Sequence, residues 1–248
     1  MDNYVFAAAL SMAVAAAPVA AVHAAELKVL AGGSMTASLK ELGPRFEKAT
    51  GHKLDITFAA TPELIKMTAE PFDLGVVPID VMKNDGARAK FVGTPENIAR
   101  VGYGVAVKAG SAKPDVSTPD ALKQTLLKAQ SIAVFPGSAA GAYVQKTFER
   151  LGIADEIKAR SKVQAAPGAI PQAVAKGEAE LGVFLTNVLQ APGVELAGPF
   201  PGDLQQELVF VGAPAAGSKD AAAAKAFLDY LKTPEAVSVF KAKGVTPG

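Results

Sequence analysis

The segment Leu27–Ala31 (LKVLA) runs into Gly32-Gly33-Ser34. A second segment, Ile132–Phe135 (IAVF), runs into Pro136–Gly141 (PGSAAG), and these two stretches decide the fold. In each of them an apolar strand enters a loop of small residues that precedes a helix. Such a loop leaves backbone N–H groups uncovered at a helix N-terminus, where the partial positive charge favours an anion. Because the stretches lie far apart in the chain, the sequence predicts one loop on each of two lobes, with a small anion held in the cleft between them.

Short apolar strands alternate with amphipathic helices on both sides of these loops. The apolar residues from Leu39 to Phe46 recur at helical spacing, and this helix is predicted to stop at Gly51. Pro44 lies inside it and predicts a kink or a short break. Thr61 is predicted to cap the next helix, with Pro62 at the first helical position. Strands separated by helices predict the α/β class, with helices on both faces of parallel sheets.

The N-terminal residues have the composition of an export signal. Phe6 to Val22 are almost entirely Ala, Val, Leu, Met and Phe, and Val22-His23-Ala24 has the small residues that a signal peptidase needs. We predict cleavage after Ala24 or Ala25, so residues 1–25 form a signal peptide and the mature chain is exported. No later segment is predicted to span a bilayer.

The overall composition excludes several classes of function. The chain has 25 Lys and Arg residues against 24 Asp and Glu, for a net charge of +1, and its basic residues are scattered. We therefore expect no binding to nucleic acid. Cysteine and tryptophan are absent, which excludes disulfides and thiolate chemistry and disfavours stacking on sugars or bases.

Catalytic and metal-binding patterns are sparse. Of the two histidines, His23 leaves with the predicted signal and His52 follows Gly51 in a predicted surface turn. No Ser-His-Asp triad and no metal-ligand spacing can be built from them. Gly32-Gly33-Ser34 lacks the spacing of a dinucleotide fingerprint or a P-loop. We predict neither a metal nor a cofactor, and expect a binding protein rather than an enzyme, although a carboxylate, Lys or Tyr could still move a proton.

Four stretches resemble the periplasmic molybdate-binding proteins of ABC importers: Lys28–Ser34, Phe135–Gly152, Gly177–Phe184 and Ala226–Gly244. The resemblance implies the type II periplasmic binding fold, in which two hinge-connected α/β lobes, each a helix-flanked mixed sheet, close on a ligand. It also implies a periplasmic, monomeric protein that delivers a small anion to an ABC permease.

The same resemblance implies the lobe boundaries. The first lobe would comprise residues 26–100 and 207–248, and the second lobe residues 101–206. The strands predicted at Ile98–Val107 and Glu207–Val211 would cross between the lobes, and closure would be a hinge motion.

Site residues follow from the two loops and from the family pattern, in which hydroxyls and backbone N–H groups hold molybdate or tungstate. The predicted ligand-binding residues are Gly33, Ser34, Thr61, Ser138, Ala139, Ala140, Thr186 and Asn187. Two departures leave the identity of the anion open. Leu185 stands where the family has a tyrosine, and Pro167 or Gly168 falls where the family offers a backbone N–H.

Two alternative ligand classes stay open beside the oxyanion. Some relatives of this family are aconitate isomerases, which move a proton in an unsaturated tricarboxylic acid, and others bind organic carboxylates. A polycarboxylate needs at least one arginine, for which Arg88 and Arg100 are the candidates. Inward-pointing Arg or Lys would therefore favour a polycarboxylate, whereas N–H and hydroxyl groups alone would favour a molybdate-type oxyanion.

Overall fold

A computed structural model describes residues 24–248 as an α/β protein built around a mixed sheet. The strands are β1 Glu26–Gly32, β2 Lys53–Ala59, β3 Leu74–Pro78, β4 Glu96–Lys108, β5 Ile132–Val134, β6 Ser161–Val163, β7 Leu181–Leu185, β8 Val194–Pro199, β9 Glu207–Pro214 and β10 Thr246–Pro247. The helices are α1 Thr36–Thr50, α2 Thr61–Met67, α3 Ile79–Met82, α4 Asp85–Arg88, α5 Pro119–Lys128, α6 Ala139–Arg150, α7 Ala154–Arg160, α8 Ala169–Lys176, α9 Thr186–Leu189, α10 Ala221–Tyr230 and α11 Pro234–Ala242. The signal peptide predicted at residues 1–25 lies outside the described residues except for its last two, and it stays a prediction.

The sheet combines parallel and antiparallel strands in the order β2-β1-β3-β9-β4-β7-β5-β6. Strand β1 pairs in parallel with β2 and β3, and β5 pairs in parallel with β6 and β7. Strands β9 and β4 run antiparallel in the middle. The sheets are therefore mixed, as the family resemblance implied, and the parallel pairing expected of strands separated by helices is found in the βαβ units at the two ends.

Strand β4 changes its partner halfway along its length. Residues Glu96–Gly102 pair with β9, whereas Tyr103–Val107 pair with β7. The two βαβ groups thus meet along one long strand. We propose that the lobes divide near the predicted boundary after Arg100, because the change of partner follows within two residues.

The side chain of Gln205 occupies the position where β4 changes partner. Its Oε1 accepts from the backbone N–H of Tyr103 at 2.8 Å, and its Nε2 donates to the carbonyl of the same residue at 2.9 Å. A Cβ added to the neighbouring Gly102 would lie 3.1 Å from this amide. The amide therefore takes the place of a strand partner at the crossing.

Replacing Gln205 by alanine should destabilise the crossing. The buried N–H of Tyr103 would lose its acceptor, which costs about 1–3 kcal/mol of the free energy of unfolding. Urea denaturation followed by circular dichroism would measure this loss, with the exposed neighbour Gln206→Ala as the matched control. Equal stability of the two variants would contradict the role given to Gln205.

Helix α1 shows how local sequence determines the first lobe. It ends at Gly51, whose φ of 78° is the left-handed conformation that glycine adopts without strain, as predicted. The predicted break at Pro44 is wrong, because α1 continues through it. Pro44 and Lys40, whose carbonyl loses its helical partner, both lie on the exposed face, where water can bond that carbonyl.

His52 is buried rather than exposed, which corrects the prediction of a surface turn. Only 8% of the residue is exposed, and its Nδ1 accepts from the backbone N–H of Ala25 at 3.1 Å. Its ring also stacks on Phe46 at a centroid distance of 5.9 Å. His52 therefore fastens the start of β1 to α1 and has a structural role.

Within residues 24–248, none of the helices combines the length and the apolar character that crossing a bilayer requires.

Candidate functional site

The two small-residue loops meet across the interlobe cleft and enclose a small cavity, here named the cage. Its walls come from the carboxyl ends of β1, β2 and β3, from the loop before α6, and from β9 at the base. The residues that line it are Gly32, Gly33, Ser34, Ala59, Ala60, Thr61, Pro78, Ser138, Ala140, Pro167, Leu208 and Phe210. Five of the eight predicted ligand-binding residues thus line one cavity.

Three hydroxyl groups line the cage, from Ser34, Thr61 and Ser138. Thr61 Oγ1 accepts from the backbone N–H of Ala139 at 3.3 Å, and Ser138 Oγ accepts from that of Gly141 at 3.1 Å. In the part of the chain that the structure describes, none of the three hydroxyls donates its proton to a protein acceptor. Each can therefore offer an O–H to a guest.

The first turn of α6 adds backbone donors on the side of the second lobe. Ser138 is the N-cap of this helix, and Ala139 and Ala140 are its first two helical residues. N–H groups in a first turn have no partner within the helix and carry its partial positive charge. Ala140 lines the cage and is 2% exposed. Because its side chain is short, a guest can approach the backbone of this turn.

Thr61 does not act as the helix cap that its sequence context predicts. The N-cap of α2 is Ala60, Thr61 is the first helical residue, and no side chain caps this helix. The Thr61 hydroxyl instead bonds to Ala139 of the second lobe. The cap prediction is wrong because α2 begins one residue earlier than predicted, which places Thr61 inside the helix and Ala60 at the N-cap.

Asn187 makes a second bond across the cleft. Its Nδ2 donates to the backbone carbonyl of Ser34 at 2.7 Å, and the residue is 8% exposed. Its Oδ1 is buried with no hydrogen-bond partner among residues 24–248. Asn187 therefore ties α9 to the first loop and borders the cage from outside. The adjacent Thr186 does not line the cage, because its hydroxyl donates to the carbonyl of Gly102 on β4 at 3.2 Å.

The candidate arginines lie elsewhere. Arg88 donates to the carbonyls of Phe91 and Gly93 at 3.1 and 2.8 Å, and Arg100 pairs with Glu207 at 3.4 Å. Neither lines the cage, which has no charged residue among those that line it. The structure thus brings together hydroxyl and N–H donors without a cationic side chain.

Tyr103 is a core residue at the crossing of the lobes. It is 2% exposed, and its ring lies 4.6 Å from that of Tyr143. Burial raises the pKa of Tyr103, and the nearby Tyr143 and Asp80 add to the effect. Its phenol therefore keeps its proton at neutral pH.

A wide groove adjoins the cage at the mouth of the cleft. It has a volume of about 1080 Å³ and shares Gly33, Ser34, Ala59, Ala60 and Pro167 with the cage. Asn187 lines the groove as well, and Glu63 is its one charged residue among those that line it. Between residues 24 and 248 no group of His, Cys, Asp or Glu side chains is arranged to hold a metal.

Sequence reasoning missed the base of the cage. Leu208 and Phe210 on β9 close it from below, and a Cβ added to Gly32 would lie 2.7 Å from the Phe210 ring. The glycine signal was present in the sequence, since Gly32 ends β1. The partner of Gly32, Phe210, could not be predicted from the neighbouring sequence, because it lies on β9, near the other end of the chain.

Comparisons with known proteins agree with this architecture. A family model for bacterial extracellular solute-binding proteins matches residues 27–246. An aconitate isomerase from Pseudomonas sp is 34% identical over 235 residues, which cover 89% of this chain and 87% of the relative. The molybdate-binding protein ModA of Azotobacter vinelandii is 30% identical over 241 residues, which cover 90% of this chain and 91% of the relative.

A solved structure gives the same picture of the fold. The periplasmic molybdate-binding protein of Azotobacter vinelandii superposes with a TM-score of 0.73 at 21% identity, covering 90% of this chain and 99% of that one. The predicted two-lobed α/β fold is therefore confirmed.

Proposed function

Since the chain belongs to the bacterial extracellular solute-binding proteins, as its sequence resemblance predicted, we propose that its cage captures a small oxyanion, with molybdate or tungstate as the first candidates. The protein would act in the periplasm and deliver this anion to an ABC permease. The observation that carries the proposal is the cage itself, in which three hydroxyls and the first turn of α6 converge without a charged side chain.

The chemistry of the cage suits a tetrahedral oxyanion. Hydrogen bonds from neutral donors to a charged group contribute about 1.5–3 kcal/mol each, so several convergent donors hold an anion without a countercharge. A cationic side chain would bind carboxylates and phosphates as well. Neutral donors at fixed positions favour an anion whose oxygens match their geometry.

Capture requires a small rearrangement of the closed cleft. The cage has a volume of about 20 Å³, which is close to the room that one water molecule needs. A tetrahedral oxyanion is larger, so it would part Thr61 from Ala139 and free the Ala139 N–H to donate to the anion. We propose that the guest replaces this cross-cleft bond and thereby links the two lobes.

Calorimetric titration of the mature protein with molybdate, tungstate and sulfate tests the proposal. We expect at least one of them to release heat on binding and to raise the unfolding temperature. Absence of both effects for all the anions would contradict an oxyanion function.

For the affinity for an oxyanion, the hydroxyl group of Thr61 should matter more than the shape of its side chain. Thr61→Val keeps the volume but removes both the donor to the anion and the acceptor for Ala139, so the affinity should fall by about 10–100-fold. Thr61→Ser keeps the hydroxyl and should stay within about fivefold of the unchanged protein. Equal losses in the two variants, measured by the same titration, would refute a hydrogen bond from Thr61.

Arg100 should be dispensable for oxyanion binding. Its guanidinium pairs with Glu207 on the surface, and a screened surface charge has little effect at a distance. Arg100→Gln is expected to leave the affinity for molybdate or tungstate within about twofold. A loss of an order of magnitude would contradict an oxyanion site built from neutral donors alone.

An aconitate isomerase-like activity is the second candidate, favoured by the 34% identical relative and by a groove beside the cage that is large enough for a tricarboxylic acid. Glu63 is the one titratable residue among those lining the groove and would have to move the proton. Incubation with cis- and trans-aconitate, followed by nuclear magnetic resonance, tests it. Interconversion that is lost in Glu63→Gln would support the enzyme, and unchanged substrate over hours would reject it.

A further inference from the structure

The groove beside the cage has the size and lining of a small-molecule pocket. Its volume of about 1080 Å³ reaches the upper end of the roughly 300–1,000 Å³ usual for such sites. A bare oxyanion would leave this space unused. The groove is therefore large enough to hold an organic body next to an anion in the cage.

The lining of the groove is mostly apolar and comes from both lobes. Phe58 at the end of β2 faces it from the first lobe, and Phe135, Pro171, Val188 and Pro192 face it from the second. Closure therefore encloses a guest between aromatic and proline rings. Burial of apolar surface against such walls is favourable whatever the exact shape of the guest.

The charge of the groove restricts what that guest can be. Glu63 is the only charged residue among those lining it, and the polar ones are few, among them Gln172 and Gln190. A second carboxylate on the guest would lose its hydration without gaining a cation, which is costly, and it would be repelled by Glu63. An uncharged body therefore suits the groove better than the additional carboxylates of a tricarboxylic acid.

The wall between the groove and the cage is thin. Gly33 and Pro167 line both, and a Cβ added to Gly33 would still lie 3.9 Å from the Pro167 ring. The described residues form no hydrogen bond between Gly33 and Pro167 that would close this wall. A slight opening of the cleft, which capture of any oxyanion requires, also joins the two spaces.

We propose that the site also binds organic oxyanions, sulfonates or phosphonates whose anionic head enters the cage and whose uncharged apolar body lies in the groove. This inference rests on the proposed function, because the head is held by the same donors as an inorganic oxyanion. The ligand class differs from a polycarboxylate in carrying its charge at one end only.

A matched series of ligands tests the inference on the unchanged protein. Methanesulfonate and benzenesulfonate share a head group and differ in the apolar body, as do methylphosphonate and phenylphosphonate. In at least one pair the phenyl compound is expected to bind about tenfold tighter or more, because it buries more apolar surface. Molybdate, tungstate and sulfate are titrated in parallel.

The outcomes separate this inference from the proposed function. Phenyl compounds that bind no tighter than their methyl partners, while an inorganic oxyanion binds, overturn the organic ligand class and leave the oxyanion function standing. Absence of binding by every anion overturns both. Tighter binding of a phenyl compound together with binding of an inorganic oxyanion supports both, whereas tighter phenyl binding without it supports the organic ligand class and overturns the inorganic one.

Variants that fill the groove with a larger side chain test whether the organic body of the ligand lies there. Ala166 and Gln172 are exposed and line the groove but not the cage. In Ala166→Trp the phenyl-over-methyl preference should fall to about threefold or less, and Gln172→Trp offers a second blocking position if the first perturbs folding. A preference that survives in both variants would mean that the body lies elsewhere, and would overturn the assignment to the groove.

Discussion

Gly141→Ala, in the first turn of α6 next to the cage residue Ala140, is expected to be the most damaging single substitution near the cage. A Cβ at this position would lie 1.9 Å from the carbonyl oxygen of Phe135 and 2.7 Å from the Cα of Pro136. Both are backbone atoms, so no side-chain rotation relieves the clash. The start of α6 would have to move away from the loop that carries Ser138.

The expected cost is large because two interactions fail together. Displacement of α6 would break the hydrogen bond from the Gly141 N–H to Ser138 Oγ, which is 3.1 Å long in the structure. The added methyl group would also overpack a buried part of the structure. We expect a fall of about 3 kcal/mol or more in the free energy of unfolding. Oxyanion binding should be lost with it, because the donors of the second lobe shift.

Gly137→Ala is the matched control from the same loop. Its added Cβ would lie 3.4 Å from the Phe135 ring, an ordinary contact with a side chain. Urea denaturation followed by circular dichroism compares the two variants, since the protein has no tryptophan. If Gly141→Ala were as stable as Gly137→Ala, the close approach of α6 to the loop would be wrong.

Asn187→Asp should have the largest effect on binding among substitutions that preserve shape. The Nδ2 that donates to the Ser34 carbonyl at 2.7 Å becomes a carboxylate oxygen, and two acceptors then face each other. A negative charge would also appear beside the cavity proposed to bind an anion. The closed form and the bound anion are both disfavoured, and the affinity should fall by about 100-fold or more.

Two further variants separate the contributions to this loss. Asn187→Ala removes the cross-cleft bond without adding charge and should cost about tenfold. Gln190→Glu adds the same charge at an exposed position of the groove and should cost only a few-fold, because exposed charge is screened. Calorimetry with the best-binding oxyanion measures all three. An Asn187→Asp protein that binds as well as Gln190→Glu would contradict the role given to Asn187.

The sequence predicted the parts of the fold that depend on local chemistry. The end of α1 at Gly51 follows from a residue type whose conformational preference acts within a few positions. The two small-residue loops were recognisable for the same reason. Their convergence in one cavity follows from the fold class, which brings the carboxyl ends of strands to the cleft.

The sequence did not predict what depends on distant residues. Thr61 bonds to a residue 78 positions away and Asn187 to one 153 positions away, so no local pattern indicates either bond. The burial of His52 likewise depends on Ala25, which is 27 positions away. Arg100 likewise pairs with Glu207, which is 107 positions away.

A crystal structure of the mature protein grown with tungstate tests the central claim most directly, because the strong anomalous scattering of tungsten locates the anion without ambiguity. We predict one anomalous peak in the cage, with oxygens within hydrogen-bond distance of the hydroxyls of Ser34, Thr61 and Ser138. A peak beside Arg88 or Arg100, or no peak in the cleft of a crystal grown at saturating tungstate, would contradict the account.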